Sequence, residues 1–275
     1  MNIGYIGLGA LGAPIAQWIE RGGFALAVFD IVPGAMAPFG ESVVKAASPR
    51  EVALAADLLC ACVRTDAEMI ELTEDGSLFE ALGQGPGERG TFMIHSTIAP
   101  ELAQKLSLQA EPYGVAVLDC GVSRGGGAEV EGNLSIYVGG AATAVARARP
   151  LLDHLGSWRH FGPVGTGMTG KLLNNLVSIA NYGMAAHILE LGEQLGFDRA
   201  QLREMLMAGS AQGFAMKVAP GFVAPDRAAN MLTLLGKDVA HARALADPGQ
   251  PSLKALLAAA QSMLDLLAEK AKAQP

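Results

Sequence analysis

Ile3-Gly4-Tyr5-Ile6-Gly7-Leu8-Gly9-Ala10-Leu11-Gly12 decides the fold of this chain. An apolar run, Ile3–Ile6, leads into three glycines spaced GxGxxG, and the helix-like segment Ala13–Ile19 follows. The spacing predicts a strand, a tight turn and a helix. The first glycine permits the turn, the second lets a pyrophosphate approach the backbone, and the third lets helix and strand pack closely. Amide groups at the helix start then meet the phosphate charge. Glycine-rich turns are common, so context carries the weight. Asp30 stands at the end of the next apolar run, 18 residues beyond Gly12. A carboxylate there accepts hydrogen bonds from ribose hydroxyls, whereas a 2′-phosphate would bring like charges together. Two unit charges about 5 Å apart at an effective dielectric of about 20 repel by about 3 kcal/mol, roughly a hundredfold in binding. Ile31 and Val32 follow, not an arginine that would welcome a phosphate. The expected ligand is NAD rather than NADP, held by Gly7, Leu8, Gly9, Ala10, Leu11, Gly12 and Asp30.

Working outward, short apolar runs recur at Ala25–Asp30, Asp57–Val63, Thr91–His95, Val115–Asp119 and Leu134–Val138, with helix signals between them. Ser48-Pro49-Arg50-Glu51 is one such signal, a capping box with proline at the first helical position. This alternation predicts an α/β, Rossmann-type, doubly wound and mostly parallel sheet over residues 1–162. The texture changes after Phe161-Gly162-Pro163. Gly167 to about Leu195 lacks proline and reads as one helix of roughly 42 Å, at 1.5 Å per residue. Asp198, with Gln201 in the capping-box position, opens another helix; further helical segments are expected after Pro220, and Ser252–Lys272 reads as a last amphipathic helix. Residues 163–275 are therefore expected to form an all-helical domain that serves substrate binding and dimerisation.

Composition narrows the partners. The 275 residues are 51% hydrophobic and 17% charged, as in folded globular proteins. A formal charge of −7 and the lack of a basic run argue against nucleic acid and anionic membranes. Met1–Leu11 has no basic start and is broken by glycines, so it reads as a strand rather than a signal peptide. No stretch approaches the roughly 20 apolar residues of a membrane span. Cys60, Cys62 and Cys120 lie in apolar segments; their odd count fits a reducing compartment, the cytoplasm, and their spacing suggests no metal site.

The best acid/base candidate is Lys171, in Gly165-Thr166-Gly167-Met168-Thr169-Gly170-Lys171-Leu172-Leu173-Asn174-Asn175. Residues three and four apart share a helix face, so Lys171, Asn174, Asn175 and Ser178 make a polar stripe on an apolar helix. Such a stripe serves either chemistry or a hydrogen-bond network at a domain interface. His95 at a strand end and His187 among Ala and Ile read as structural, and the eleven methionines as core filler.

With these residues in view, the chain resembles the β-hydroxyacid dehydrogenases, the family of 3-hydroxyisobutyrate, tartronate semialdehyde and 6-phosphogluconate dehydrogenases. Five stretches carry the resemblance in order: the glycine-rich turn, Ser96-Thr97-Ile98-Ala99-Pro100, Asp119–Gly126 with Gly132-Asn133-Leu134, the GxGxxxKxxNN stretch ending at Asn175, and Lys237-Asp238. The resemblance implies that Lys171 exchanges a proton with the substrate oxygen, that Asn174 and Asn175 contact substrate, Asn175 also holding Lys171, and that Ser123 and the Gly125 amide bind a carboxylate, with Arg124 beside them. It also implies that Val63, Arg64, Thr97 and Lys237 line the cofactor. An acid/base lysine works best with its pKa lowered by burial or nearby positive charge. The implied activity is interconversion of a short 3-hydroxy acid, or a 2-hydroxy-3-oxo acid, with its carbonyl partner. An imine reductase on the same scaffold, or a non-catalytic nicotinamide sensor, are the alternatives, and an intact lysine counts against both. A homodimer or homotetramer is expected from the apolar long helix. The chain departs from the family at Arg124, usually glycine, at Gly121, usually proline, and at Arg64, often proline. The Arg124 guanidinium either meets a second anionic group or points to solvent. Phe214 stands where the family often has a pocket residue, and core packing explains it equally well.

Overall fold

The computed structural model describes residues 1–86, 90–124, 130–222, 225–247 and 249–272. The chain divides into two compact units, Met1–Lys171 and Leu172–Pro275, so the division falls inside the long helix rather than before it.

In the first unit, strands β1 (Asn2–Ile6), β2 (Ala25–Phe29), β3 (Val44–Lys45), β4 (Leu58–Ala61), β5 (Thr91–Ile94), β6 (Ala116–Arg124), β7 (Leu134–Gly139) and β8 (Gly156–Gly162) form one sheet. Its order is β3-β2-β1-β4-β5-β6-β7-β8. Pairing is parallel from β3 through β6, β7 runs antiparallel to β6, and β8 is parallel to β7. The central strands are apolar on both faces, as a sheet covered on both sides requires. Alternate residues go to opposite cores. Ile3 and Tyr5 of β1 pack with α1 (Gly12–Arg21), while Ile6 packs with α2 (Pro49–Leu54). Helices α3 (Asp66–Thr73), α4 (Ser77–Gly83) and α5 (Pro100–Ala110) add Met69, Leu82 and Leu102 to the α2 side. Leu151 and Leu152 of α6 (Ala142–Leu155) join the α1 side.

The six predicted strands all form. β3, of two residues, and β8, in Gly156-Ser157-Trp158-Arg159-His160-Phe161-Gly162, were not foreseen. β8 is a largely exposed edge strand whose polar residues carry no alternating apolar signal. β6 also runs five residues past Asp119, and that extension pairs with β7 from Asp119↔Gly139 to Arg124↔Leu134.

Helix α7 (Thr166–Gln194) begins in the first unit and continues into the second. The second unit adds α8 (Arg199–Ala208), α9 (Phe214–Phe222), α10 (Pro225–Arg243) and α11 (Pro251–Lys272). Helices α10 and α11 follow Pro220 as expected, and Pro220 itself falls within α9. Asp198 Oδ1 accepts the Gln201 amide at 2.9 Å, as the capping pattern requires. The core of this unit joins Leu176 and Ile179 of α7 to Val239 of α10 and Leu257, Met263 and Leu267 of α11. Another face of α7 stays uncovered: Leu173, Val177, Met184, Ile188 and Leu191 are each 42–55% exposed, and their spacing keeps them on one stripe.

Candidate active site

The glycine-rich turn is built from backbone. β1 ends at Ile6, and Gly7 turns the chain with φ +89°, its amide donating to Phe29 O at 3.0 Å. A Cβ on Gly7 would lie 2.4 Å from Cys62 O, and one on Gly12 would lie 2.0 Å from Gly7 O. Neither position tolerates a side chain. Gly9 differs, because a Cβ there would meet nothing within 4 Å. The outer glycines thus close the turn, and the middle one leaves its surface clear. α1 starts at Gly12 with Leu11 at the N-cap and no side-chain cap, so its start offers amides without a built-in anion.

Asp30 does more than sequence reading assigned to it. Its Oδ2 accepts the Leu8 amide at 2.6 Å, and its Oδ1 accepts the Val32 amide at 2.8 Å. The carboxylate therefore fastens the turn to the end of β2, with lone pairs left for further donors. Ser96 Oγ accepts the Val63 amide at 2.8 Å, and Glu68 accepts the Arg64 amide at 2.7 Å. Residues 7–12, Asp30, Val63, Arg64 and Thr97 all follow the carboxyl ends of β1, β2, β4 and β5, neighbours in the order β2-β1-β4-β5. From β1 the chain first builds outward through β2 and β3, then crosses to β4. That reversal between β1 and β4 is the switch point at which open α/β sheets bind ligands.

The lysine site is built from side chains. Lys171 is 7% exposed, and its Nζ donates to Ser123 Oγ at 2.6 Å. Ser123 lies on β6, opposite Ser135 of β7. Arg124, the last residue of β6, pairs with Leu134 through its backbone register. Gly125 lies outside the described residues. In the second unit, Asn175 Nδ2 donates to Asp238 Oδ2 at 2.7 Å, while its Oδ1 accepts from Asn174 Nδ2 at 3.0 Å. Lys237 Nζ sits 3.7 Å from Asp238 Oδ1. The Asn175 amide is thereby fixed in orientation by a buried carboxylate.

In the sequence Asp119 ends a strand and heads the stretch Asp119–Gly126, with no role of its own. It is fully buried, and its carboxylate accepts the amides of Gly165 at 2.9 Å and Met168 at 2.7 Å. Burial pushes its carboxyl up to about 6, against those hydrogen bonds, which act to lower it. The usable signal was an acid between Leu118 and Cys120, because an apolar strand admits one only with partners. His95, also enclosed, lies 3.1 Å from Tyr5 Oη through Nδ1, and burial pushes its imidazole down to about 4. It supports the core beneath the turn. His187 is half-exposed beside Glu190.

A glycine-rich turn at the switch point of an open α/β sheet is the arrangement of the dinucleotide-binding folds. Residues 2–178 match the family described as the NAD binding domain of 6-phosphogluconate dehydrogenase, and residues 165–274 match that described as NAD-binding of NADP-dependent 3-hydroxyisobutyrate dehydrogenase. The chain belongs to the β-hydroxyacid dehydrogenase family. It is 34% identical over 217 residues to the human mitochondrial 3-hydroxyisobutyrate dehydrogenase, covering 76% of this chain and 62% of the human one. The chain thus spans less than two thirds of that relative. It is 34% identical over 223 residues to the NAD-dependent L-serine dehydrogenase of Pseudomonas aeruginosa, covering 79% of this chain and 72% of that protein. A solved Mycobacterium tuberculosis 3-hydroxyisobutyrate dehydrogenase with L-serine shares the fold, with TM-score 0.75, 24% identity and coverage of 99% and 94%.

Proposed function

We propose that this protein is an NAD-dependent dehydrogenase of a small hydroxy acid of the size of 3-hydroxyisobutyrate or L-serine, with Lys171 as the acid/base. The observation that carries this reading is the buried Lys171 Nζ held 2.6 Å from Ser123 Oγ. A lysine enclosed with a hydroxyl partner is poised to move a proton, which typically contributes about 10²- to 10⁴-fold in rate. When bound, NAD supplies the hydride acceptor. The glycine-rich turn fits its pyrophosphate, since Gly9 leaves the approach open and α1 presents uncapped amides. Asp30, fastened to the turn through the Leu8 amide, accepts ribose hydroxyls and repels a 2′-phosphate. In oxidation Lys171 Nζ takes the hydroxyl proton; in reduction it returns it to the carbonyl oxygen. Ser123 and the chain at Gly125 bind the substrate carboxylate, and Asn174 and Asn175 contact the substrate. Val63, Arg64, Thr97 and Lys237 line the cofactor, and Arg124 meets a second anionic group in substrates that carry one.

The exposed apolar stripe of α7 supports a homodimer, since an uncovered face of this length favours a second copy. Light scattering at micromolar concentration should give twice the chain mass or a multiple of it, and a monomer contradicts this. No helix among the described residues is long and apolar enough to cross a membrane, and we place the protein in the cytoplasm.

A panel of 3-hydroxy acids, L-serine and semialdehydes, assayed with both cofactors, tests the assignment. Turnover with at least one small hydroxy acid and NAD is expected. Undetectable turnover across the panel would favour a nicotinamide sensor, and turnover confined to imines an imine reductase.

A further inference from the structure

Strand β6 presents Asp119, Gly121 and Ser123 at alternate positions, so all three face the same side of the sheet. Each meets a different part of the segment that ends at Lys171. Asp119 accepts the Gly165 and Met168 amides and so caps the start of α7. A Cβ on Gly121 would lie 2.6 Å from Lys171 Cβ and 2.9 Å from its Cγ. Ser123 Oγ receives Lys171 Nζ at 2.6 Å. The lysine stem therefore lies along the strand, from the gap at Gly121 to the hydroxyl at Ser123. Two further glycines bring the elements this close: a Cβ on Gly167 would lie 2.3 Å from Asp119 O, and one on Gly139 would lie 2.3 Å from Asp119 Oδ1.

We propose that Asp119 and Gly121 are positioning residues for Lys171. Asp119 fixes where α7 starts on the strand, and Gly121 sets how near the lysine stem lies to it. Neither touches the reacting atoms. This rests on the reading of Lys171 as the acid/base.

The test compares Asp119→Ala, Asp119→Asn, Gly121→Ala and Lys171→Ala by steady-state kinetics with 3-hydroxyisobutyrate and L-serine plus NAD, and by amide exchange across residues 164–172. In Asp119→Ala, exchange at the helix start should quicken at least about tenfold, as expected when a cap is lost. Its kcat should fall roughly 10- to 100-fold with KM for NAD unchanged, and the pH limb that Lys171→Ala abolishes should shift. Asp119→Asn, which keeps one acceptor, should recover part of both effects. Gly121→Ala should slow turnover by roughly two orders of magnitude, the cost of about 1 Å of misplacement, while exchange stays at the wild-type rate. Wild-type kcat and pH limb in both Asp119→Ala and Gly121→Ala, measured well below their melting temperatures, overturn the positioning claim. Wild-type turnover in Lys171→Ala overturns the acid/base reading instead, and exchange then decides by itself whether Asp119 holds the helix start.

Discussion

The turn after β1 and the lysine site on β6 do their work by opposite means. The turn is made of backbone that side chains must stay out of, and the lysine site is made of side chains that must meet across a long sequence separation. Gly7 and Gly12 exclude any Cβ by collision with carbonyl oxygens, whereas Lys171, Ser123 and Asp119 come together from segments 46 to 49 residues apart. A backbone site should fail all at once when filled, and a side-chain site should fail by degrees.

The sharpest break of that contrast is Gly12→Val. Its Cβ has no room, so we expect loss of at least about 5 °C in Tm together with at least roughly a hundredfold weaker NADH binding, read by thermal melts and fluorescence titration. Gly9→Ala is the control within the same turn. Its Cβ meets open space, so Tm should stay within about 1 °C while NADH binding weakens. Equal damage in the two variants would dissolve the distinction between closing and presenting glycines. Asp30→Asn comes next. Removing the charge should narrow the preference for NAD over NADP by up to roughly a hundredfold in kcat/KM, and an unchanged ratio would remove Asp30 from cofactor selection.

Acid should expose a smaller difference between the two regions. His95, under the turn, has its imidazole near 4 instead of 6.5, so the unfolded chain takes up that proton first and stability falls as pH drops from about 6.5 to 4. Asp119, at the lysine site, has its carboxyl near 6 instead of 3.8, so the folded protein takes up the proton first and stability rises as pH drops from about 6 to 3.8. Each amounts to about 3 kcal/mol across its window, and between pH 4 and 6 they oppose each other. His95→Gln should therefore gain stability on acidification relative to wild type, and Asp119→Asn should lose it. Parallel denaturant midpoints for the three proteins from pH 6 to pH 4 would contradict both shifts.

The same contrast explains what could be read from the chain. The turn, its strand and Asp30 are local, and alternating apolar runs with a glycine spacing announce them within the first 30 residues. Lys171 was legible as a polar residue on an apolar helix. Asp119 stands out as an acid in an apolar strand that needs partners, but the partners are not legible, because the amides it caps come from Gly165 and Met168. β8 is silent in the sequence for another reason: Trp158, Arg159 and His160 give an exposed edge strand no apolar period. Asp30 was found, but its bond to the Leu8 amide was not, since no spacing distinguishes a ribose acceptor from a fastener of the turn.

If Lys171 moves the proton while the turn independently holds the cofactor, the two functions should separate in one variant. Lys171→Ala, assayed for NAD-dependent oxidation of the best substrate from the panel and titrated with NADH, tests this directly. We expect turnover to slow by roughly two to four orders of magnitude, with NADH affinity within about twofold of wild type. Wild-type turnover, or a loss of activity matched by an equal loss of NADH binding, would contradict it.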